Sequence, residues 1–322
     1  MRRIFAAAAI AALAAASPAL AQKEFPNRTV TLTVGFAPGG GTDTVARIVA
    51  KKLTQDLGVS VVVENRAGAG GEIAAQHIAG AAPDGYTIHL SSVGPLTVAP
   101  AMNAKLGYDP KRDIAPITMG VIFPNVFVVP AASPNKSLAD LVAMAKKDPG
   151  KMTYGSSGVG GAAHLAGELF KKEAGIEMVH VPYKGGGPAT ADLVAGRVDM
   201  YPAVPSTALP QIKAGKIRAI ATTGLKRTAM LPDVPTVAEQ GYPGFEAVNW
   251  YAFVAPAKTP RNILEFWNKE LVKVLNDPEV KKQLDLQGLE PAPGTREELV
   301  GYIDRETQKW GKVVRDAHIT SE

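Results

Sequence analysis

Cysteine is absent from the 322 residues, so no disulfide framework, thiolate metal site or thiol nucleophile is available. Histidine is scarce: five are scattered along the chain, with no HxxxH or HExxH pair to hold zinc. Charge of one sign is also lacking. The 35 basic residues barely exceed the 30 acidic ones, and no block of five or six like charges occurs, which argues against nucleic acid as the main partner. A phosphate loop ending in Gly-Lys-Ser/Thr is missing as well. Beyond the first two dozen residues, no apolar run approaches the ~20 residues that a membrane-spanning helix needs.

The N-terminus is different. Arg2 and Arg3 precede an almost unbroken apolar run from Ile4 to Ala16, Ser17-Pro18 interrupts it, and Ala19-Leu20-Ala21 supplies a small-x-small exit. Charge, short apolar stretch and exit site together read as a secretory signal, with cleavage expected after Ala21. The remaining chain, from Gln22, is expected to be soluble and periplasmic. Its length exceeds that at which single cores stop growing, so two lobes are expected.

Two periodicities alternate along the mature chain. Val30 to Phe36 alternates like a half-buried strand, and Val45, Ile48, Val49, Leu53 and Leu57 then fall at helical spacing. Val59 to Glu64 and Tyr86 to Ser91 read as further strands around a helix from Ile73 to Ala79, which implies parallel pairing with helices on the faces. After Asp109-Pro110 the pattern restarts with a strand at Asn125 to Pro130. Strands at Met152–Ser156, Met178–Tyr183, Val198–Tyr201 and Ile217–Thr223 follow, with helices between them. The tail holds a lone strand, Asn249 to Val254, and three helices. It is expected to complete the first lobe, so that the chain crosses between lobes twice, near Val121–Asn125 and Thr223–Pro235. Lobe 1 is then 22–122 plus 226–322, and lobe 2 is 123–225.

Glycines and hydroxyls cluster where strands end and helices begin. Phe36-Ala37-Pro38-Gly39-Gly40-Gly41-Thr42-Asp43 can turn its N–H groups into one concavity, and the following helix adds unpaired N–H groups and the positive end of its dipole. Such a loop holds an anion without a cationic side chain. Asp43, in the first helical turn, serves equally well as a capping residue. Tyr154-Gly155-Ser156-Ser157-Gly158-Val159-Gly160-Gly161 repeats the device ahead of a helix carrying His164, and Pro182 to Gly187 repeats it again with Tyr183 and Lys184. Ser91 ends a strand of the first lobe, and Asp199 lies just inside a strand of the second. Ligands of open α/β sheets sit at these carboxyl ends, so a cleft between lobes is the expected site.

Other chemistries fit less well. Gly158 to Ala163 matches GxGxxA, but no acidic residue ends the next strand to hold a ribose. Ser133 to Lys136 matches SxxK without its companion motifs. An exported serine hydrolase using Ser156 or Ser157 with His164 is the alternative; it needs a carboxylate to orient the histidine and an oxyanion hole, neither evident in the sequence. Trp250 and Tyr251, in a lone strand, read as core.

The signal segment, VGFAPGGGTDTVAR (34–47), VVENRAGAGG (62–71), YGSSGVGGAAHLAGELF (154–170), VPYKGGGPATADLVAGRVDM (181–200) and LPDVPTVAEQGYPGFE (231–246) together resemble the Bug family, the periplasmic receptors of tripartite tricarboxylate transporters. The resemblance implies a type II periplasmic-binding-protein fold, two α/β lobes with a hinge and an interlobe ligand cleft. It implies a non-enzymatic receptor that closes on a small carboxylate (a di- or tricarboxylate, an acidic amino acid or an aromatic acid) and delivers it to membrane permease subunits; a monomer suits such a diffusing receptor. No cofactor, metal or nucleic acid is implied. Carried onto this chain, the binding positions are Phe36, Ala37, Gly40, Thr42, Asp43, Ser156, Ser157, His164, Tyr183, Lys184 and Asp199, with Ser91 transferred from its strand-end position.

Overall fold

The computed structural model describes residues 25–102, 105–316 and 319–320. The signal segment and its cleavage site lie outside the described residues. The chain opens with β1 (Val30–Val34), α1 (Gly41–Leu57), β2 (Val61–Asn65), α2 (Glu72–Ala79) and β3 (Thr87–Ser92). A π-turn at Gly94–Val98 leads into the short α3 (Ala99–Met102) and α4 (Pro110–Asp113). Next come β4 (Ile114–Pro124), β5 (Val126–Pro130), α5 (Leu138–Lys147), β6 (Thr153–Ser156), α6 (Ala162–Ala174) and β7 (Val179–Pro182). They are followed by α7 (Gly186–Val194), β8 (Tyr201–Ala203), α8 (Pro205–Lys213) and β9 (Ile217–Thr222). The chain closes with β10 (Val248–Pro256), α9 (Arg261–Asn276), α10 (Pro278–Leu286), β11 (Glu290–Pro291) and α11 (Arg296–Asp316).

Six strands form one mixed sheet in the order β11-β4-β10-β3-β1-β2. The βαβ units make β1 parallel to both β2 and β3, whereas β10 runs antiparallel to β3 and β4. The other strands form an antiparallel trio β8-β5-β9 and a parallel pair β6-β7, joined by a bridge between Tyr154 and Met200. The molecule is therefore a two-lobed α/β protein. One residue, Asn125, separates β4 from β5. There the outgoing and returning segments are tied together: Thr223 N–H donates to Asn125 O at 3.0 Å, and Asn125 N–H donates to Thr223 Oγ1 at 2.8 Å.

Helix packing follows from apolar spacing. Val45, Val49 and Leu53 of α1 are fully buried on one face, and α9 buries Leu264, Trp267, Leu271 and Val274 at helical intervals. Each such side chain contributes about 1.5–3 kcal/mol of burial. Trp267 also donates its indole N–H to Gly85 O at 2.9 Å, which pins α9 to the turn before β3.

Two sequence expectations are corrected. The stretch 114–124, to which the sequence pattern assigns no element beyond a lobe crossing near Val121–Asn125, is the eleven-residue strand β4. Pro116 and Gly120 hide its alternation, and the register against β10 slips opposite Ile117 and Gly120, where β4 carries an extra residue. Asp199 is not inside a strand. It sits in the turn before Met200, and its carboxylate accepts from Thr153 N at 2.7 Å and Thr153 Oγ1 at 2.9 Å.

Candidate functional site

Six of the longer helices among the described residues begin without a side-chain cap, and four of them start close together: α1 after Gly40, α6 after Gly161, α7 after Gly185 and α8 after Val204. All four starts meet at one narrow cavity of about 20 Å³, lined by Gly41 and Thr42, by Ala162 and Ala163, by Gly186 and by Val204. α1 belongs to one lobe and α6, α7 and α8 to the other, so the cavity lies between lobes. The N–H groups of Gly41, Thr42, Ala162, Ala163 and Gly186 have no acceptor among the described residues. Unpaired first-turn N–H groups carry the helix's partial positive charge, and here several are aimed at one space.

The rest of the lining is neutral: Phe36, Gly40, Ser92, Ser157, Asn249 and Tyr251. Thr42 Oγ1 and Ser92 Oγ are buried without a hydrogen-bond partner. Ser92 and Tyr251 are cross-strand neighbours in β3 and β10, and Asn249 lies two residues before Tyr251 on the same face. Asn249 Oδ1 accepts from Trp250 N–H. Among the described residues, no charged side chain lines the cavity. An arrangement of dipoles and hydroxyls of this kind solvates an oxyanion by replacing its water shell with fixed donors.

The sequence-derived positions divide into three groups. Phe36, Gly40, Thr42 and Ser157 line the cavity. Ala37, Asp43, Ser156 and His164 build its walls. Asp43 accepts from Gly39 N–H, Arg47 and Asn65 at 2.9–3.0 Å, so both its oxygens are engaged in shaping the first loop. Burial raises the pKa of this carboxyl, but the bonds from Arg47, Gly39 and Asn65 together outweigh burial and hold it below the usual value. Ala37 N–H donates across the cleft to Lys184 O at 2.9 Å. Ser91, Tyr183, Lys184 and Asp199 place no side chain in the lining: Ser91 is buried in β3, Tyr183 OH donates to Asp192 at 2.8 Å, and Lys184 is exposed.

Below the second glycine loop lies a stack of rings. His164 and His180 are parallel at 4.0 Å between centroids, and Tyr154 continues the stack at 5.0 Å from His180. His164 Nδ1 accepts from Gly160 N–H at 3.1 Å, while Ser156 Oγ is 2.6 Å from His180 Nε2. Burial depresses both imidazoles, to about 4 for His164 and about 3 for His180, where the neighbouring His164 adds to the effect. The Ser156–His164 pairing that a hydrolase would use is absent; His164 instead supports the loop. Neither imidazole bonds a carboxylate among the described residues.

Ser92, Asn249, Gly41, Ala162, Ala163, Gly186 and Val204 also line the cavity, though the sequence did not mark them as binding positions, and Tyr251, which the sequence pattern assigns to the core, is buried but lines the cavity too. The alternation within Asn249-Trp250-Tyr251 was an available signal, since it puts Trp250 on the opposite face from the other two.

A model for the "Tripartite tricarboxylate transporter family receptor" matches residues 45–319. Protein BugT of Bordetella pertussis is 38% identical, over 91% of this chain and 90% of its own length. Two solved structures are similar along nearly their whole length. Rpa4515 of R. palustris with adipate shares 36% identity at a TM-score of 0.89, covering 92% of this chain and 99% of that one. MatC from Rhodopseudomonas palustris with bound malate shares 32% identity at a TM-score of 0.86, covering 90% and 100%.

Proposed function

The chain belongs to the tripartite tricarboxylate transporter receptor family, and from that membership we propose that it captures a small dicarboxylate between its lobes and delivers it to a tripartite membrane transporter. Its family and its structural relatives are periplasmic solute-binding proteins rather than enzymes. The observation that carries the reading is the meeting of four uncapped helix starts, contributed by both lobes, around a cavity with unpartnered hydroxyls and, among the described residues, no charged side chain. Helix starts on both sides give a dianion more contacts in the closed state than in the open one, and only such differential contacts drive closure. Adipate and malate, carried by two relatives, are both dicarboxylates.

In this reading the lobes are 22–122 with 226–322 and 123–225, and they hinge where Asn125 meets Thr223. The signal segment is removed after Ala21. Thr42, Ser157 and the helix-start N–H groups contact the solute, Phe36 and Gly40 shape its space, and the remaining sequence-derived positions act through loop geometry.

A thermal-shift screen of residues 22–322 against straight-chain dicarboxylates, citrate, acidic amino acids and aromatic acids tests this. A ligand at 100 times its Kd stabilises the fold by about 2.7 kcal/mol. Stabilisation by neutral compounds and by no acid would sink the carboxylate reading.

A further inference from the structure

Two seams flank the cavity, and both are made of backbone against backbone. In the first, the turn Ala69–Gly71 after β2 and the turn at Gly94 after β3 meet the loop 157–161 after β6. A Cβ added at Gly70 would lie 2.1 Å from Val159 O, and one at Gly158 would lie 2.9 Å from Gly70 Cα. At Gly94 it would lie 3.0 Å from Gly160 O. In the second seam, a Cβ at Gly185 would lie 3.0 Å from Ala37 N, and one at Gly187 would lie 3.1 Å from Pro38 O. Real Cβ contacts essentially never fall below 3.0 Å, so a side chain at Gly70 or Gly158 would force the backbone to move, whereas at Gly94, Gly185 and Gly187 the neighbour would have to give by a few tenths of an ångström.

Backbone conformation accounts for some of these glycines, because Gly70, Gly158 and Gly185 have positive φ. It does not account for Gly94 or Gly187, which are absent from the positive-φ residues. What those two share with the others is a carbonyl or amide of the opposite lobe at contact distance. None of Gly70, Gly94, Gly158 or Gly187 lines the cavity.

We propose that Gly70, Gly94 and Gly158, with Gly187 on the far seam, are positioning residues for solute binding. They touch no solute, yet they set its affinity, because only residues without a Cβ let the lobes approach closely enough for helix starts from both sides to reach one ligand. The lobes also touch at the cavity itself, where a Cβ on Gly40 would be in ordinary van der Waals contact with Gly186 N, at 3.5 Å. Interfaces packed this tightly transmit small changes, since a neighbour a few tenths of an ångström too large holds the whole lobe away. The inference rests on the two-lobe capture reading above, and its test separates the two.

The test uses a matched pair. Gly58, at the end of α1, has φ +66 and open space where a Cβ would go, whereas Gly70 has φ +59 and a carbonyl at 2.1 Å. Gly58→Ala and Gly70→Ala therefore impose similar backbone strain, but only the second obstructs the seam. Titration calorimetry with adipate and with malate reads affinity. Gly58→Ala is expected within twofold of the parent, Gly70→Ala at least tenfold weaker, and Gly94→Ala weaker by a smaller factor. A solute-free arm exploits the absence of cysteine. In an Ala37→Cys/Lys184→Cys background, disulfide yield reports closure, and Gly70→Ala is expected to lower it severalfold while Gly58→Ala does not. Equal affinity and equal disulfide yield for Gly70→Ala and Gly58→Ala would overturn the proposal. Binding of neither acid by the parent would count against the dicarboxylate reading instead, and the disulfide arm would then decide the seam alone.

Discussion

Acid should unfold this protein through its buried histidines. His89 has its Nδ1 2.9 Å from Thr33 O inside the six-stranded sheet, and His164 and His180 stack beneath the second glycine loop. Burial lowers their values to about 4, 4 and 3, against about 6.5 in an unfolded chain. Protonating His164 would also turn a donor toward the Gly160 N–H that its Nδ1 now accepts. Each imidazole is neutral when folded and gains a proton on unfolding once the pH is below about 6.5. The stabilisation is therefore complete above that pH and is lost as pH falls toward the folded values. Linkage gives on the order of 2 kcal/mol per histidine between pH 7 and pH 5, roughly 5 kcal/mol for the three, a large part of the 5–15 kcal/mol typical of a folded protein. The depressed aspartates, Asp43 and Asp56 among them, act in a lower window, because their contribution is lost only below about 3.8. Urea midpoints at pH 7, 6 and 5 measure the slope, and His89→Gln should reduce it by about one proton. A slope below one proton between pH 6 and pH 5 would show that these rings are not buried neutral.

Thr42→Val and Ser92→Ala each remove a buried hydroxyl that has no partner. Solute-free stability should rise by about 1 kcal/mol while dicarboxylate affinity falls at least fivefold, as read by thermal melts and calorimetry on the same samples. Glu306 Oε2 accepts from the indole N–H groups of both Trp250 and Trp310, at 3.1 and 2.8 Å. Glu306→Leu strands two buried donors and should cost roughly 2–6 kcal/mol in urea unfolding, with Glu306→Gln costing less. Lys184→Ala, at an exposed position, should leave affinity within about threefold. Asp199→Ala should instead lower the melting temperature by several degrees through loss of its two bonds to Thr153.

Local patterns carried much of the fold into the sequence. Alternating and helical apolar spacings marked β1, α1 and β3, because each element's periodicity is written into its own residues. Glycines at strand ends pointed to the loops around the cavity for the same reason: a turn needing positive φ, as at Gly158 or Gly185, must spell it locally. β4 escaped notice because its bulges break the period of two. Asp43 and His164 could be placed near the site but not assigned to wall or lining, since that depends on Arg47, Asn65 and Gly160 as partners.

By itself, then, the sequence determined the family, the two-periodicity α/β plan and the use of uncharged glycine loops at the strand ends. Only the tertiary structure decided which residues share the cavity. Ser92, Asn249 and Tyr251 come together because β10, some 160 residues downstream, inserts between β3 and β4. Long-range strand order of this kind is chosen by packing across the whole sheet, and no local window of residues records it. The seams have the same origin: what leaves no room for a Cβ at Gly70 is the carbonyl of Val159 in the opposite lobe, 2.1 Å from where it would sit.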